Sequence, residues 1–328
     1  MSRFRNLTAL RHFSTKQRTF KEIKIPVPWG HVAGKWWEPY DKRPILTLHG
    51  WQDSCGSFDR LVPLLKDDVG IVAIDLPGHG YSSRLPPGMF YNNMNYPIII
   101  QHIANYLEWP KISLMGHSLG AISSFIYTII FPENVDFLIC IDGVKPLYMK
   151  NNGPRMALGI QELLKYDELG RSKEEPPSYP LEVIKKRMAA LNTQSISIDH
   201  CHHILNRKIA PSKADPDKYY FTRDPRLKAR FIYNWAQKDL LEGAYRVICP
   251  MLMIKFTESG YYEDKQNFYE LLDALKKTSK DAQYHYVDGS HHTHLNNPES
   301  VKDLINNFLE TYNIEDRKIG GIKSDIIC

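Results

Sequence analysis

A serine between two glycines, in the pentapeptide GHSLG at residues 116–120, is the residue of this sequence best suited to covalent chemistry. It follows the short apolar run at residues 112–115 and precedes an apolar stretch, which predicts a strand, a sharp turn and a helix. The glycines let neighbouring backbone pass close to a strained turn. The turn lifts the hydroxyl above the sheet edge, beside a helix N-terminus that favours negative charge. The pattern predicts that Ser118 is a nucleophile.

Three histidines compete for the role of the general base that such a serine needs. His291, His292 and His294 follow the last predicted strand, at residues 283–287. Histidine exchanges a proton near neutral pH, and in the chain order serine, acid, histidine the base follows the final strand. His291 lies closest to the strand end and is the predicted base. A metal pair of His291 and His294 is the alternative, although no carboxylate or cysteine lies at a matching spacing.

Two backbone N–H groups are needed to hold the negative oxygen of an acyl-transfer intermediate. One belongs to the residue after the nucleophile, Leu119, and the other to the loop after the third strand, where Trp51 is the best candidate. We expect the His49 side chain to brace that loop. The glycine- and proline-rich segment at residues 75–82 is interpreted as a structural turn at the pocket edge.

The elements that position these residues alternate between strand and helix. Four apolar runs of four or five residues, typical of a parallel sheet covered on both faces, occupy residues 45–48, 71–74, 112–115 and 137–141. Helical stretches are predicted at residues 58–65, 96–108 and 119–131. Strand–helix alternation of this kind indicates an α/β fold with a doubly wound, mostly parallel sheet.

The alternation stops after residue 146 and resumes near residue 246. Residues 147–245 are charged, helical in pattern and broken by prolines, and they are predicted to form a helical cap. The core is then composed of residues 21–146 and 246–315. Residues 316–328 are rich in glycine and lysine, and a flexible tail is predicted there.

Composition narrows the class of protein. The 328 residues are 43% hydrophobic and 24% charged, as in globular proteins. The net charge of +5 is small and dispersed, which argues against a nucleic-acid partner. No apolar run approaches the roughly 20 residues of a membrane-spanning helix. The five cysteines are widely spaced and lack a CxxC motif, which favours a reducing compartment over a disulfide framework.

The first twenty residues have a composition of their own. They contain hydroxylated and apolar residues and no acid, and their basic residues are Arg3, Arg5, Arg11, Lys16 and Arg18. This composition is typical of a mitochondrial transit peptide, and residues 11–15 look like a processing site. The alternative is a disordered basic tail on a cytoplasmic enzyme. The sequence predicts a mitochondrial location, with the cytoplasm as the alternative.

Together these motifs resemble the α/β-hydrolase superfamily over about residues 20–146 and 246–313. The segment HGWQDS at residues 49–54, followed by SFD, resembles the animal serine hydrolase-like proteins, the kraken-like group. The strand end at Ile254 and Lys255, the GYY segment after it and the HxxH pattern from His291 to His294 resemble the same group. The resemblance implies a sheet of about eight strands with a helical cap, Ser118 as nucleophile and His291 as base.

The acid that orients the base has more than one candidate. The usual position, after the strand at residues 251–256, is occupied by Ser259, which carries no charge. Glu258 is its neighbour. Asp142 directly follows the strand at residues 137–141. Some capped α/β-hydrolases resemble this arrangement, with their acid at the end of that strand, and the chain order serine, acid, histidine is kept. A carboxylate need only reach the second ring nitrogen of the base. Asp142 is the predicted acid, Glu258 is the alternative, and Asp142 as a mere turn brace is the remaining interpretation.

The expected activity is hydrolysis of a small-molecule carboxylic ester or thioester through an acyl-enzyme. The apolar content of the cap suggests a mainly apolar substrate moiety. No cofactor and no metal are predicted. Two alternatives stay open: a non-catalytic scaffold that binds a small apolar ligand, and an acyltransferase with the same triad. The sequence leaves the oligomeric state undetermined.

Overall fold

An eight-stranded sheet organises the chain in the computed structural model, which describes residues 18–148, 152–191, 195–229, 235–312, 319 and 321–328. The transit-peptide prediction falls almost wholly on residues 1–17, outside these ranges, and stays a prediction. The strands are β1 (Phe20–Val27), β2 (Gly30–Trp37), β3 (Ile45–Leu48), β4 (Ile71–Ile74), β5 (Ile112–His117), β6 (Val135–Ile141), β7 (Tyr179–Pro180), β8 (Ile209–Pro211), β9 (Lys218–Phe221), β10 (Met251–Phe256) and β11 (Ala282–Val287).

The order of the large sheet is β1-β2-β4-β3-β5-β6-β10-β11. β1 and β2 are antiparallel to each other, and β2 is antiparallel to β4. The other six strands of this sheet, β4, β3, β5, β6, β10 and β11, run parallel to one another. The carboxyl ends of six parallel strands therefore meet at one edge. Ligands of open α/β sheets bind at this edge.

The α-helices lie between and around these strands: α1 (Asn95–Tyr106), α2 (Leu119–Ile130), α3 (Asn152–Arg171), α4 (Leu181–Leu191), α5 (Cys201–Leu205), α6 (Gln237–Ala244), α7 (Lys265–Thr278), α8 (Thr293–Asn296) and α9 (Glu299–Tyr312). No α-helix forms at residues 58–65, where one was predicted. Two short 3₁₀ turns, Cys55–Phe58 and Val62–Leu64, stand there instead. Pro63 explains the difference, because it has no backbone N–H to donate within a helix. Within the described ranges, no helix combines the length and apolar character needed to cross a bilayer.

Two hydrophobic clusters cover the two faces of the sheet. Leu46 and Leu48 of β3 pack on one face with side chains of α1, α2, α6 and α7. Ile45 of the same strand packs on the other face with side chains of α9. Because both faces are buried, most successive residues of these strands are apolar, as the four short runs predicted.

The insertion contains more than helices. β7, β9 and β8 form a small antiparallel sheet in that order beside α4 and α5. A wholly helical cap was therefore the wrong expectation, and the aromatic run at residues 218–221 favours a strand. Leu240 and Ala244 of α6 pack in the main core cluster. The predicted cap boundary at residue 245 thus follows a helix that belongs to the core.

The described part of the carboxyl-terminal segment docks on the sheet edge, so the prediction of a flexible tail is corrected there. Ile327 forms a β-bridge with Ile23, and Ile326 is buried. The Cys328 backbone N–H donates to the Glu22 carbonyl at 3.0 Å. β1 is an edge strand with unpaired backbone groups, and this segment satisfies some of them.

Arg207 anchors the insertion to the core, and its removal tests that contact. It follows α5, and its Nε donates to Asp75 Oδ2 at 2.9 Å while its Nη1 lies 2.6 Å from Glu22 Oε1. Asp75 is completely buried. We expect Arg207→Ala to lower the free energy of unfolding in urea by about 3–5 kcal/mol, because it leaves a buried carboxylate uncompensated.

Lys302→Ala is the matched control for this measurement. Lys302 forms a surface ion pair with Glu299 one turn away in α9. Exposed pairs of this kind contribute less than about 1 kcal/mol. Equal effects of the two substitutions would contradict the anchoring role of Arg207.

Candidate active site

Ser118 sits at a strained turn between β5 and α2. Its backbone has φ 52° and ψ −114°, in the left-handed half of conformational space that side chains rarely adopt. A Cβ atom at Gly116 would lie 2.3 Å from the Ala121 nitrogen, and one at Gly120 would lie 2.0 Å from the Leu48 oxygen. The turn therefore requires glycine on both sides of the serine. This close approach of backbone atoms is the physical reason for the two glycines of the motif.

The loop after β3 lies directly against this turn. A Cβ atom on Gly50, the residue before Trp51, would be 3.4 Å from Ser118 Cβ. His49 braces the loop: its Nδ1–H donates to the Gly50 carbonyl at 2.7 Å, and its Nε2 accepts from the Leu76 N–H at 3.0 Å. Burial lowers the pKa of His49 to about 3, so the ring is neutral. This is the structural role expected for that side chain.

Leu119, the other predicted oxyanion donor, is the first residue of α2. The first N–H groups of a helix have no partner within the helix, and they point towards its N-terminus. The structure therefore brings both predicted donor segments, at Trp51 and Leu119, to the turn that carries Ser118.

His291 and Asp142 meet at the same edge of the sheet. His291 Nδ1–H donates to Asp142 Oδ2 in a short hydrogen bond. Asp142 directly follows β6, at a φ of 49°. Glu258, the alternative acid, is exposed, whereas Ser259 Oγ lies 3.4 Å from His291 Nδ1. Since Nδ1 of His291 is engaged by Asp142, Nε2 is the nitrogen left for a reacting hydroxyl.

The second oxygen of Asp142 has two further partners. Lys255 Nζ lies 2.7 Å from Asp142 Oδ1, and the Phe256 backbone N–H donates to the same oxygen at 3.1 Å. Burial raises the pKa of Asp142, but the hydrogen bond and charge of His291 and the charge of Lys255 outweigh it and hold the pKa below its usual value. Sequence reasoning named Lys255 only as part of a family-like strand end and gave it no role, although a lysine inside the apolar run of β10 is the signal that could have indicated one.

A cavity of about 130 Å³ opens beside Ser118 and His291. Its wall is largely apolar, with contributions from Ile122, Val144, Leu147, Tyr261 and Phe268. The same wall carries a buried ion pair in which Lys145 Nζ lies 2.5 Å from Glu263 Oε1. Burial lowers the pKa of Lys145, and the Glu263 carboxylate opposes that shift.

A second serine–histidine–aspartate line lies behind the first. Ser195 Oγ is 2.8 Å from His292 Nδ1, and His292 Nε2 is 3.8 Å from Asp53 Oδ2, which is beyond hydrogen-bond distance. All three residues are at most 4% exposed. Burial raises the pKa of Asp53 to about 7 and lowers that of His292 well below its usual value. None of these three described residues lines the cavity beside Ser118.

Asp53, His117 and His292 offer ligand atoms that lie within 4.8 Å of one another. The ammonium of the buried Lys208 already acts electrostatically on Asp53, and it donates to the Gln52 carbonyl in a short hydrogen bond. His117 Nε2–H donates to the His291 carbonyl at 2.8 Å and so supports the base from behind. Among the described residues, the one group of three side chains that could hold a metal ion contains neither His291 nor His294.

Comparisons with known proteins agree with this architecture. A family model described as the alpha/beta hydrolase fold matches residues 43–298. A probable serine hydrolase of Drosophila melanogaster is 38% identical over 89% of this chain and 88% of its own. A serine hydrolase-like protein of Danio rerio is 32% identical over 92% of this chain and 93% of its own.

A solved structure of a hypothetical protein from Pseudomonas aeruginosa is also similar. It is 27% identical, superposes with a TM-score of 0.76, and covers 90% of this chain and 100% of its own. One family model thus matches more than half of the chain, and two relatives that are more than 30% identical to the chain match it over most of their own length. The chain therefore belongs to the α/β-hydrolase fold family and, within it, to the serine hydrolase-like proteins.

Proposed function

We propose that this protein is a serine hydrolase that cleaves a carboxylic ester or thioester through an acyl-enzyme formed on Ser118. The observation that carries the proposal is the hydrogen bond from His291 Nδ1 to Asp142 at the cavity that Ser118 lines. That bond fixes the tautomer in which Nε2 can accept a proton. In this arrangement Ser118 is a weak nucleophile that His291 activates as the adjacent base, and Asp142 orients that base.

The chemistry proceeds in two balanced steps. Ser118 Oγ gives its proton to His291 Nε2 and forms a bond to the acyl carbon. His291 then passes the proton to the leaving alcohol or thiol as the substrate bond breaks. A water molecule repeats the sequence on the acyl-enzyme, which releases the acid and regenerates the serine. The backbone N–H groups of Trp51 and Leu119 stabilise the oxyanion in each step.

The cavity wall supports a mainly apolar substrate moiety. The side chains of Ile122, Val144, Leu147 and Phe268 line it, and Lys145 is neutralised there by Glu263. A charged substrate group would have to compete with that buried pair. An ester or thioester with a small apolar group beside the scissile bond therefore suits this wall.

Labelling with a fluorophosphonate probe tests the proposal. We expect the wild-type protein to be labelled on the peptide that contains Ser118, as located by mass spectrometry. Ser118→Ala should remove the label. Ser195→Ala is the matched control, because Ser195 also contacts a histidine but lies buried outside the cavity, and this variant should be labelled like the wild type.

The other outcomes identify the rival interpretations. A label on Ser195 would assign the nucleophile to the second serine–histidine–aspartate line. An unlabelled wild-type protein would favour the ligand-binding scaffold. If labelling succeeds but an added alcohol captures the acyl group in preference to water, the protein is an acyltransferase.

A further inference from the structure

Lys255 is a charged residue in a strand that is otherwise apolar. All six residues of β10 are buried, and the Lys255 residue is 7% exposed. An ammonium group is withdrawn from water only at high free energy, unless it is paired and hydrogen-bonded. Its partners therefore indicate why a lysine stands there.

Those partners belong to the proposed triad and to the turn beside it. Lys255 Nζ lies 2.7 Å from Asp142 Oδ1 and donates to the Ser259 carbonyl at 2.8 Å. The parallel register pairs Ile254 with Ile141, so that the residues after them, Lys255 and Asp142, emerge together at the sheet edge. The two Asp142 oxygens are thus divided, with Oδ1 facing Lys255 and Oδ2 facing His291.

We propose that Lys255 is a positioning residue that fixes the rotation of the Asp142 carboxylate, keeps it ionised, and so sets the pH at which His291 takes up a proton. This inference rests on the proposed function for its kinetic consequences. Lys255 also ties Asp142 to the turn at residues 256–260, which precedes the cavity wall at Tyr261. The lysine acts through the acid.

The other titratable groups near the pair do not replace this charge. Burial lowers the pKa of three neighbouring histidines, which are therefore neutral: His117, His292 and His294. Other titratable groups that line the cavity or lie behind it include Lys145, Glu263, Tyr261, Tyr262, Asp53 and Lys208, and Glu258 and Asp288 lie on the adjacent turns. Lys145 is bound to Glu263, and Lys208 acts on Asp53. Among the residues that the structure describes, Lys255 is the lysine or arginine in direct contact with Asp142.

The experiment follows the titration of His291 by NMR in protein with isotope-labelled histidine. Lys255→Gln keeps a polar side chain and removes the charge, Lys255→Met removes both, and Lys255→Arg keeps the charge. Lys35→Met is the matched control: Lys35 is equally buried and lies 2.7 Å from Asp59, away from the cavity. The acid limb of kcat/KM for an activated ester provides a second readout.

Loss of the positive charge should make the Asp142–His291 pair bind a proton more tightly. We expect the titration midpoint of His291 to rise by about one pH unit or more in Lys255→Gln and Lys255→Met. The acid limb of kcat/KM should move to higher pH with it. Lys255→Arg and Lys35→Met should retain the wild-type midpoint.

Two results would overturn the proposal. One is an unchanged midpoint in folded Lys255→Gln or Lys255→Met. The other is failure of both variants to fold, which would assign Lys255 a structural role only. The NMR readout does not depend on catalysis, so a shifted midpoint in a protein that no probe labels would refute the proposed function and leave the Lys255–Asp142 coupling in place.

Discussion

Ser118→Ala is expected to lower the turnover of an activated ester by a factor of about 10⁴–10⁶, because the members of a catalytic triad act as a unit. The substitution removes one oxygen atom and keeps the Cβ, so the strained turn at φ 52° retains its geometry. The fold should persist, since no large cavity forms. Steady-state kinetics with a small activated ester, together with a urea unfolding curve, measures both effects.

Ser195→Ala provides the comparison for this loss. Ser195 is buried and contacts His292, so its removal perturbs the interior without touching the Ser118 cavity. We expect turnover to stay within an order of magnitude of the wild type. If Ser118→Ala kept a substantial share of wild-type activity while Ser195→Ala lost it, the nucleophile assignment would be wrong.

Asp142→Asn should lower turnover by about 10³–10⁴, because an amide in place of the carboxylate no longer fixes the His291 tautomer. Glu258→Gln is the control, since Glu258 is exposed and is the competing candidate from sequence. It should have little effect on kcat. If Glu258→Gln lost its turnover while Asp142→Asn kept it, Glu258, in the turn after β10, would be the acid of the triad.

The stability of Asp142→Asn needs its own measurement. The substitution leaves the buried Lys255 ammonium without its counter-charge, which lies 2.7 Å away in the wild type. Uncompensated buried charge is strongly destabilising. The double variant Asp142→Asn/Lys255→Met should recover stability in urea while its turnover stays low, which separates the catalytic loss from unfolding.

The secondary structure around the site followed from local sequence. The apolar runs ended at turn residues, and each of the four predicted core strands formed. The glycine spacing around Ser118 predicted a turn whose close contacts allow no side chain at Gly116 or Gly120. These features depend on residues within a few positions of one another, where sterics and periodicity act directly.

Prediction from local sequence was wrong in two segments, where pairing with a strand distant in the chain overrides local propensity. The carboxyl-terminal segment, which looked disordered by composition, adds a bridge to the open edge of β1. The small sheet of β7, β8 and β9 forms inside a segment with a helical pattern. Backbone groups at a strand edge accept partners from anywhere in the chain, and periodicity carries no information about which partner arrives.

The candidate site shows the same division. The sequence by itself pointed to Ser118 as the candidate nucleophile, to the histidine cluster and to the short set of carboxylates that keep the predicted chain order. The tertiary structure decided that Asp142, and not Glu258, contacts His291, and it revealed Lys255 at the other oxygen of that acid. Lys255 and Asp142 are 113 positions apart, and only the register of two neighbouring parallel strands brings them together, because strand pairing fixes which side chains emerge side by side at the sheet edge.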